Sequence, residues 1–587
     1  MANLVSPGFN ESSLINSYLA PAEERIIEFR GLNRKDSPDE GEMSDMKNLS
    51  SDNYPLLTPR KPRGTYTLPD DVVIPYRIMA RYGKIAMIAK DDNGDVNFYF
   101  DGTKVSGITD LTSESEMVAI NTKICFFPQK TSISVVQSGG TASIVPGSYE
   151  SLEKSITITA ASPATVTISN EDARITLISV SGLAYDDALT ITGTLAYTDA
   201  NNTSKTKQCK VSCIIERIES YTLVLPRETF IELTGEGASN ITFYGTITRT
   251  MPELDMVIEW NNRLWGASSA DNCIYASKLG DPKNWQYYQG TGLDSYYAQQ
   301  GTDGVWTGCA TYSSHIIFFK QNSMARIYGT APSNFQITNT KCYGVEEGSK
   351  ASVVTVNDTV FYKSVIGIMA YDGGTPYCIS DRFAKDFGHV VGGTEGRKYY
   401  ASIITKDIGP ELMVLDIDKG VWHREDTTRF KDTCSIDDKL YFITNDSDEL
   451  LCGNDVFVDD YLLVGDGTPT AGEVSIINPE TPTESYDDME WSATFGAFDE
   501  HIENRKIYSR LLIRLLRKDT SEVKVYISIN DGEWEQVYKF DPASTGGDYI
   551  PIVPRRCDRY SVKIVGKGNC SIKSLTRKVR FGTGGRL

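Results

Sequence analysis

The sequence predicts an all-β protein: a β-propeller of about six blades, with a small β-sandwich inserted into it and a second β-sandwich at the C-terminal end. Three observations carry that expectation. First, a phrase of turn residues followed by an apolar burst recurs as Tyr82-Gly83-Lys84-Ile85-Ala86-Met87, Asn121-Thr122-Lys123-Ile124-Cys125-Phe126, Asn261-Asn262-Arg263-Leu264-Trp265, Ser313-Ser314-His315-Ile316-Ile317-Phe318, Asn357-Asp358-Thr359-Val360-Phe361 and Asp437-Asp438-Lys439-Leu440-Tyr441-Phe442. Asn, Asp, Gly and Ser accept the turn conformations that join antiparallel strands, and the β-branched and aromatic run that follows suits a strand buried on both faces. Second, the later copies start roughly 40–50 residues apart, the spacing of one four-stranded blade per repeat. Third, no segment sustains the 3.6-residue period of a helix.

Taken in order, residues 1–65 read as an N-terminal arm and an irregular strap. From Phe29 to Arg63 the prolines exclude helix and the apolar residues lack strand alternation. The strap still carries Leu32, Met43, Met46, Leu49, Tyr54, Leu56 and Leu57, followed by Arg60. Apolar groups of this size are costly to leave in water, so they must cover either the chain's own propeller or a neighbouring subunit. These eight residues are the candidate assembly interface. Residues 66–138 hold the first two hairpins and begin the propeller.

From 139 to 250 Thr and Ser rise, aromatics thin out, and Ser155-Ile156-Thr157-Ile158-Thr159 and Leu189-Thr190-Ile191-Thr192 alternate with period two, which predicts an inserted sandwich-like domain. The propeller resumes over 251–477, one blade completed by strands from both chain ends. After the polar link Asn478 to Asp488, residues 489–587 read as a C-terminal β-sandwich, with Leu511 to Leu516, Val523 to Ile529 and Val562 to Ile564 as strands and Asn530-Asp531-Gly532 as a hairpin turn.

Charge narrows the function classes. The 59 basic and 78 acidic residues give −19; Glu500 to Leu587 holds 18 Lys and Arg against 10 Asp and Glu, or +8, which leaves −27 for the rest. An acidic body cannot grip nucleic acid through a broad footprint. No stretch approaches the roughly 18 apolar residues of a membrane span, and the first residues lack a signal-peptide pattern, so a soluble chain made in the cytoplasm is expected. The eleven cysteines are scattered; Cys209 and Cys213 fall on one strand face with no second pair to complete a zinc set, and read as reduced, buried small hydrophobes.

The strap from Gly31-Leu32-Asn33 to Arg60 resembles that of the tail nozzle, or stabilisation, proteins of tailed bacteriophages. So do Arg263-Leu264-Trp265-Gly266, the stretch Ile274 to Trp285, Phe318-Phe319-Lys320-Gln321-Asn322-Ser323, Ile327-Tyr328-Gly329 and Pro332-Ser333-Asn334-Phe335. The likeness covers roughly 29–130 and 254–455; the ending, Pro551 to Asp558 with Val565-Gly566-Lys567-Gly568, is similar to the terminal sandwich of phage proteins from gut bacteria. The insert and the separate C-terminal sandwich depart from the family. The resemblance implies a virion protein of the tail, assembled in the host bacterial cytoplasm: a ring, generally a hexamer, that extends the channel below the portal and adaptor, through which double-stranded DNA passes without sequence-specific binding, and that is no enzyme. The alternative is a tail-associated adhesin or glycan-binding propeller for host attachment.

Candidate chemistry was weighed beside this. The four histidines, His315, His389, His423 and His501, are too dispersed for a metal motif or a nucleophile relay. Asp91 to Asp95, Asp416 to Gly420 and Asn445 to Glu449 invite calcium, but none continues to a full ligand loop, and they read as turns. Ser528 to Trp534 is similar to a sialidase Asp-box but shorter, and reads as a hairpin before a core tryptophan. Trp285 with Tyr287-Tyr288 reads as loop packing rather than a sugar platform. No cofactor, no metal and no catalytic residue is expected.

Overall fold

The computed structural model describes residues 22–36, 38–230, 233, 237–444, 473–500, 506–517, 521–540, 548–552 and 556–581. Strands dominate them, and short 3-10 turns such as Pro332–Asn334 and Tyr486–Asp488 punctuate the strands. The chain divides into two compact units, one of 68–366 with 371–376, the other of residues up to Thr67 with 367–370 and 377–587.

Seven meanders of the blade type follow along the described residues, spanning 72–104, 116–144, 256–299, 306–341, 354–378, 387–424 and 430–477; the second gains a fifth strand from Glu150–Ser151, and the last holds three of its own. This is the β-propeller that the hairpin phrases predict. The phrases sit where expected: Asn261-Asn262 and Asp437-Asp438 hold consecutive positive φ values of 50° and 59°, and 48° and 57°, which a tight two-residue hairpin requires. Each phrase then runs into a strand with hardly any exposed side, as in Arg263–Ser268 and His315–Lys320, all of whose residues are buried. Facing strands of neighbouring sheets share cores, such as Phe98 with Phe126, and Trp265 with Phe318. In the last meander, Phe430–Ile436, Lys439–Thr444 and Val474–Ile477 are joined by Gly64–Thr65, which pairs Thr65 with Ser475 and Gly64 with Ile476.

The inserted domain begins later than the composition suggested. Gly139-Gly140, with φ of 59° and 83°, makes the hairpin between Thr131–Ser138 and Thr141–Ile144, so residues 139–144 still belong to a blade. The insert is an eight-stranded sheet from Lys154 to Arg249 around Val166, Ile175, Ile191, Leu225 and Phe243. Cys209 and Cys213 stand four residues apart along one of its strands and border this core.

The C-terminal sandwich is not built from 489–587 alone. One sheet runs Ala22–Ile26, Cys570–Phe581, Lys506–Arg517, Asp548–Pro551; the other runs Gly31–Leu32, Glu42–Lys47, Glu490–Phe495, Tyr560–Lys567, Glu522–Ile529, Glu535–Lys539. Both sheets therefore take strands from the arm and strap.

Candidate functional site

The strap is held by the unit it belongs to. Leu32, Met43, Met46, Leu49 and Leu57 are at most 3 % exposed, Tyr54 and Leu56 are partly exposed, and Arg60 is buried. Met43 pairs with Phe495 and Met46 with Ala493, and a bulge between Met43 and Asp45 turns both methionines inward although they are three residues apart. Leu57 bridges to Ile572, and Gly31, at φ +83°, lies so close to the backbone of Trp422 that a Cβ would stand 2.2 Å from its carbonyl oxygen. Five of the seven apolar side chains of the candidate interface are thus core of their own chain, and Tyr54 and Leu56 are the two that stay partly exposed.

Charge fixes the strap's register. Arg34 donates to both oxygens of the fully buried Glu411, at 2.9 and 2.6 Å, while Arg424 approaches the same carboxylate at 2.8 Å. Arg382 donates to Glu42 at 2.7 Å, Arg60 to Glu484 at 2.7 Å and to Asn48 at 2.9 Å, and Arg63 to Glu425 at 2.7 Å with Asp426 3.0 Å away. Ser51 donates to Asp416 at 2.6 Å, Lys398 to Asp52 at 2.5 Å, and Arg577 to Glu500 at 2.7 Å and to Glu40. Burial alone would raise the pKa of Glu411 and Asp426, but Arg34 outweighs it at the first and Arg63 with Arg60 at the second, so both lie below the usual carboxylate range. Burial opposes the charge of Arg63, and Asp426 and Glu425 more than restore it. Pairs of this kind add little net stability, yet removing one partner leaves a buried charge uncompensated. Their contribution is to specify one register.

Beside the strap lies a polar cleft of about 660 Å³, lined among others by Asp52, Glu395, Lys398, Asp416, Asp437 and Tyr486. Most of its lysines are spoken for: Lys398 by Asp52, Lys419 by Asp416 at 2.8 Å, Lys439 by Glu480 at 2.8 Å. Glu395, 5 % exposed, has one carboxylate oxygen with no hydrogen-bond partner, and burial pushes its pKa up to about 7. His423, 1 % exposed, has neither ring nitrogen partnered; burial, then the Lys398 charge, lowers it to about 3.

The other candidates resolve individually. His315 shares hydrogen bonds with Tyr371 at 2.8 Å and Ser314 at 3.0 Å, His389 lies in a blade strand, and His501 lies outside the described residues. Asp91 spends its oxygens on the amides of Asn93 and Asp95 and on Asn97 and Lys104, at 2.8 to 3.0 Å, which is the work of a turn. Asn445 to Glu449 lies outside the described residues. Among the described residues no group of three or more His, Cys, Asp or Glu is placed to hold a metal ion. Asn530-Asp531 makes the hairpin turn, with φ of 48° and 57°, but Trp534 is 40 % exposed with Lys563 over its ring, and is not core as the sequence suggested.

Trp285 is buried and donates to the Pro282 carbonyl at 2.9 Å; Tyr287 is buried and donates to Asp186 at 2.9 Å; Tyr288 stays 48 % exposed. Around them Asn284 reaches Asp187 at 3.1 Å and accepts from the Ala188 amide at 2.8 Å, and Arg249 pairs with Asp187. This loop therefore pins the insert to a blade.

No family model matches the chain, and no curated protein matches it. Among solved structures it is similar to Hsv2 of Kluyveromyces lactis, at 14 % identity over 43 % of this chain and 71 % of that one with a TM-score of 0.25. It is also similar to apo AztD of Citrobacter koseri, at 11 % identity over 64 % and 88 % with a TM-score of 0.27, and to an exo-beta-1,3-galactanase of Phanerochaete chrysosporium, at 7 % identity over 87 % and 96 % with a TM-score of 0.19. Likenesses this distant carry no argument about activity.

Proposed function

We propose that this chain is a structural protein of a tailed-bacteriophage virion, forming a nozzle-like ring in the tail that extends the DNA channel below the portal and adaptor and stabilises the packaged genome. The observation that carries this reading is the clamped strap: the segment on which the resemblance to tail nozzle proteins rests is welded by strand pairing and buried ion pairs into one unit with the C-terminal sandwich. Parts that bear load need one register that does not slip, and buried charges supply it. Identical subunits joined head to tail close into a ring around a pore, and an acidic lumen repels phosphates. The reading includes no catalysis and no resident cofactor.

The test is electron cryomicroscopy of the full-length protein, together with antibody labelling of particles. A closed ring, about six copies in the family's manner, and label at the tail are expected. A chain that stays monomeric at every concentration and labels no particle overturns the reading. The second reading, a glycan-binding propeller, is favoured by the polar cleft of about 660 Å³, whose Asp, Asn and Tyr groups suit hydroxyls. Saturable binding of a soluble oligosaccharide that is lost in Asp437→Ala would select it.

A further inference from the structure

The strand Lys506–Arg517 has two unlike faces. Leu511, Ile513 and Leu515 are buried, whereas Arg510, Leu512, Arg514 and Leu516 alternate outward, with Leu516 56 % exposed. Two neighbouring strands extend the outer face. Cys570–Phe581 turns Lys573, Lys578 and Arg580 the same way, and Ala22–Ile26 adds Glu23 and Arg25. The register sets Lys578 opposite both Arg510 and Glu23, and Thr576 opposite both Leu512 and Arg25.

Among the described residues of these three strands the face holds six cations, at 25, 510, 514, 573, 578 and 580, and one carboxylate, Glu23, which Lys578 takes at 3.3 Å; exposed Arg556, opposite Ile507 as Arg580 is, adds a further cation. The side chains of Arg25, Arg510, Arg514, Lys573 and Arg580 have no ion-pair or hydrogen-bond partner among the described residues. Like charges directly opposite one another, as Arg510 and Lys578 are, destabilise a sheet. This face persists against its own repulsion.

Two kinds of partner suit a cationic surface. A phosphate backbone would engage the arginines but gain nothing from covering Leu512 and Leu516, whereas a protein interface buries leucines and is enriched in arginine. The acidic partner of matching chemistry is the chain itself, with +8 over Glu500 to Leu587 and −27 over the rest. Two copies of the basic face repel each other, so the contact joins this face to a different, acidic surface of the next copy. Such a heterologous contact is the kind that generates rings.

We propose that the basic, leucine-studded sheet face centred on Arg510, Arg514 and Leu516 docks on the acidic surface of a second copy of this chain. The inference rests on the ring reading and names its interface. Arg510 and Arg514 are exposed and unpartnered, so the double variant Arg510→Glu/Arg514→Glu leaves the sandwich intact, which circular dichroism and the melting temperature check. Lys573→Glu/Arg580→Glu, on the neighbouring strand, provides a second variant should the first misfold.

Sedimentation of the full-length protein across salt concentrations is the experiment. Wild type is expected to assemble and to weaken with salt, and either variant to weaken assembly at least about tenfold and lose most of that salt dependence. Leu516→Ser is expected to weaken assembly while keeping the salt dependence. A variant that assembles like wild type overturns the interface and leaves the ring reading standing; a wild type that stays monomeric overturns both. Normal assembly with loss of retention on duplex DNA assigns the face to polyphosphate and also overturns the proposal.

Discussion

At the scale of single residues, the groups that titrate out of range are the ones packing isolates, and Glu395 and His423 oppose each other. Glu395 is raised to about 7 from the ordinary carboxylate value of 4.5, so its folded form holds its proton longer: the stability it contributes is fully present below about pH 4.5 and is lost as pH rises through about 7. His423 is lowered to about 3 from 6.5, so its contribution is present above about pH 6.5 and is lost as pH falls toward 3. Between about 4.5 and 6.5 the two slopes offset one another. Glu395→Gln should therefore expose a stability that climbs with pH across that window and should gain on the order of 2 kcal/mol at pH 8 while changing little at pH 4.5. Urea unfolding at four pH values checks it; an equal shift at every pH would contradict the buried-carboxylate account. Glu411 and Asp426, whose folded pKa values are depressed, act on the acid side, where their stabilisation is lost as pH falls through those lowered values. Arg34→Ala strands the fully buried Glu411 with Arg424 as its remaining arginine, and should cost about 3–5 kcal/mol at pH 7. Denaturant midpoints of the variant and wild type read that cost, and a loss under 1 kcal/mol would mean that Arg424 alone suffices. None of these pairings was legible in the sequence, because Arg34 and Glu411 are 377 residues apart.

At the scale of elements, local chemistry was readable and long-range pairing was not. Asn-Asn and Asp-Asp announce their hairpins because few residues tolerate positive φ, and the apolar bursts after them announce buried strands. The strap hid its strand because the bulge at Met43 to Asp45 breaks the period-two signal on which strand reading depends. The insert boundary slipped because Ser-Gly-Gly-Thr at 138–141 resembles a linker in composition yet is a blade hairpin. The exposed Trp534 slipped for a different reason: a hydrophobic residue two positions past a turn carries no sign of which face it takes. Gly31, by contrast, belongs to a motif the sequence singled out, and the structure supplies its cause. Gly31→Ala must place a Cβ against the Trp422 carbonyl at a φ that L side chains rarely adopt, so the strap should lift from the strand Val421–Arg424. Hydrogen exchange should show the amides of Asn33 and Arg34, which donate to Met43 and Arg382 at 2.8 Å, losing protection first. Unchanged protection there would place the anchor elsewhere.

At the scale of the whole molecule, the repeated meanders made the fold class legible, whereas the contribution of the first 65 residues to the last blade and to both sheets of the terminal sandwich depends on pairings that span nearly the full sequence. Turn chemistry accounts for the acidic loops within the described residues, as at Asp91, so chelator should leave the melting temperature unchanged; a fall of several degrees would place a cation in them, since binding to the native state alone raises stability by mass action. The pairing of Ala22–Ile26 with Cys570–Phe581 has a further consequence during synthesis. The strap leaves the ribosome well before the strands that cover it, and at about 5–20 residues per second that delay is roughly half a minute to two minutes. Throughout it Leu32, Met43 and Met46 lack the sandwich that finally encloses them. A chain that stops before Glu490–Phe495 and the strands after it therefore keeps an uncovered apolar segment, open to chaperones and proteases. The strand Cys570–Phe581, by pairing with Ala22–Ile26, therefore joins two segments of the sandwich that are made far apart in time.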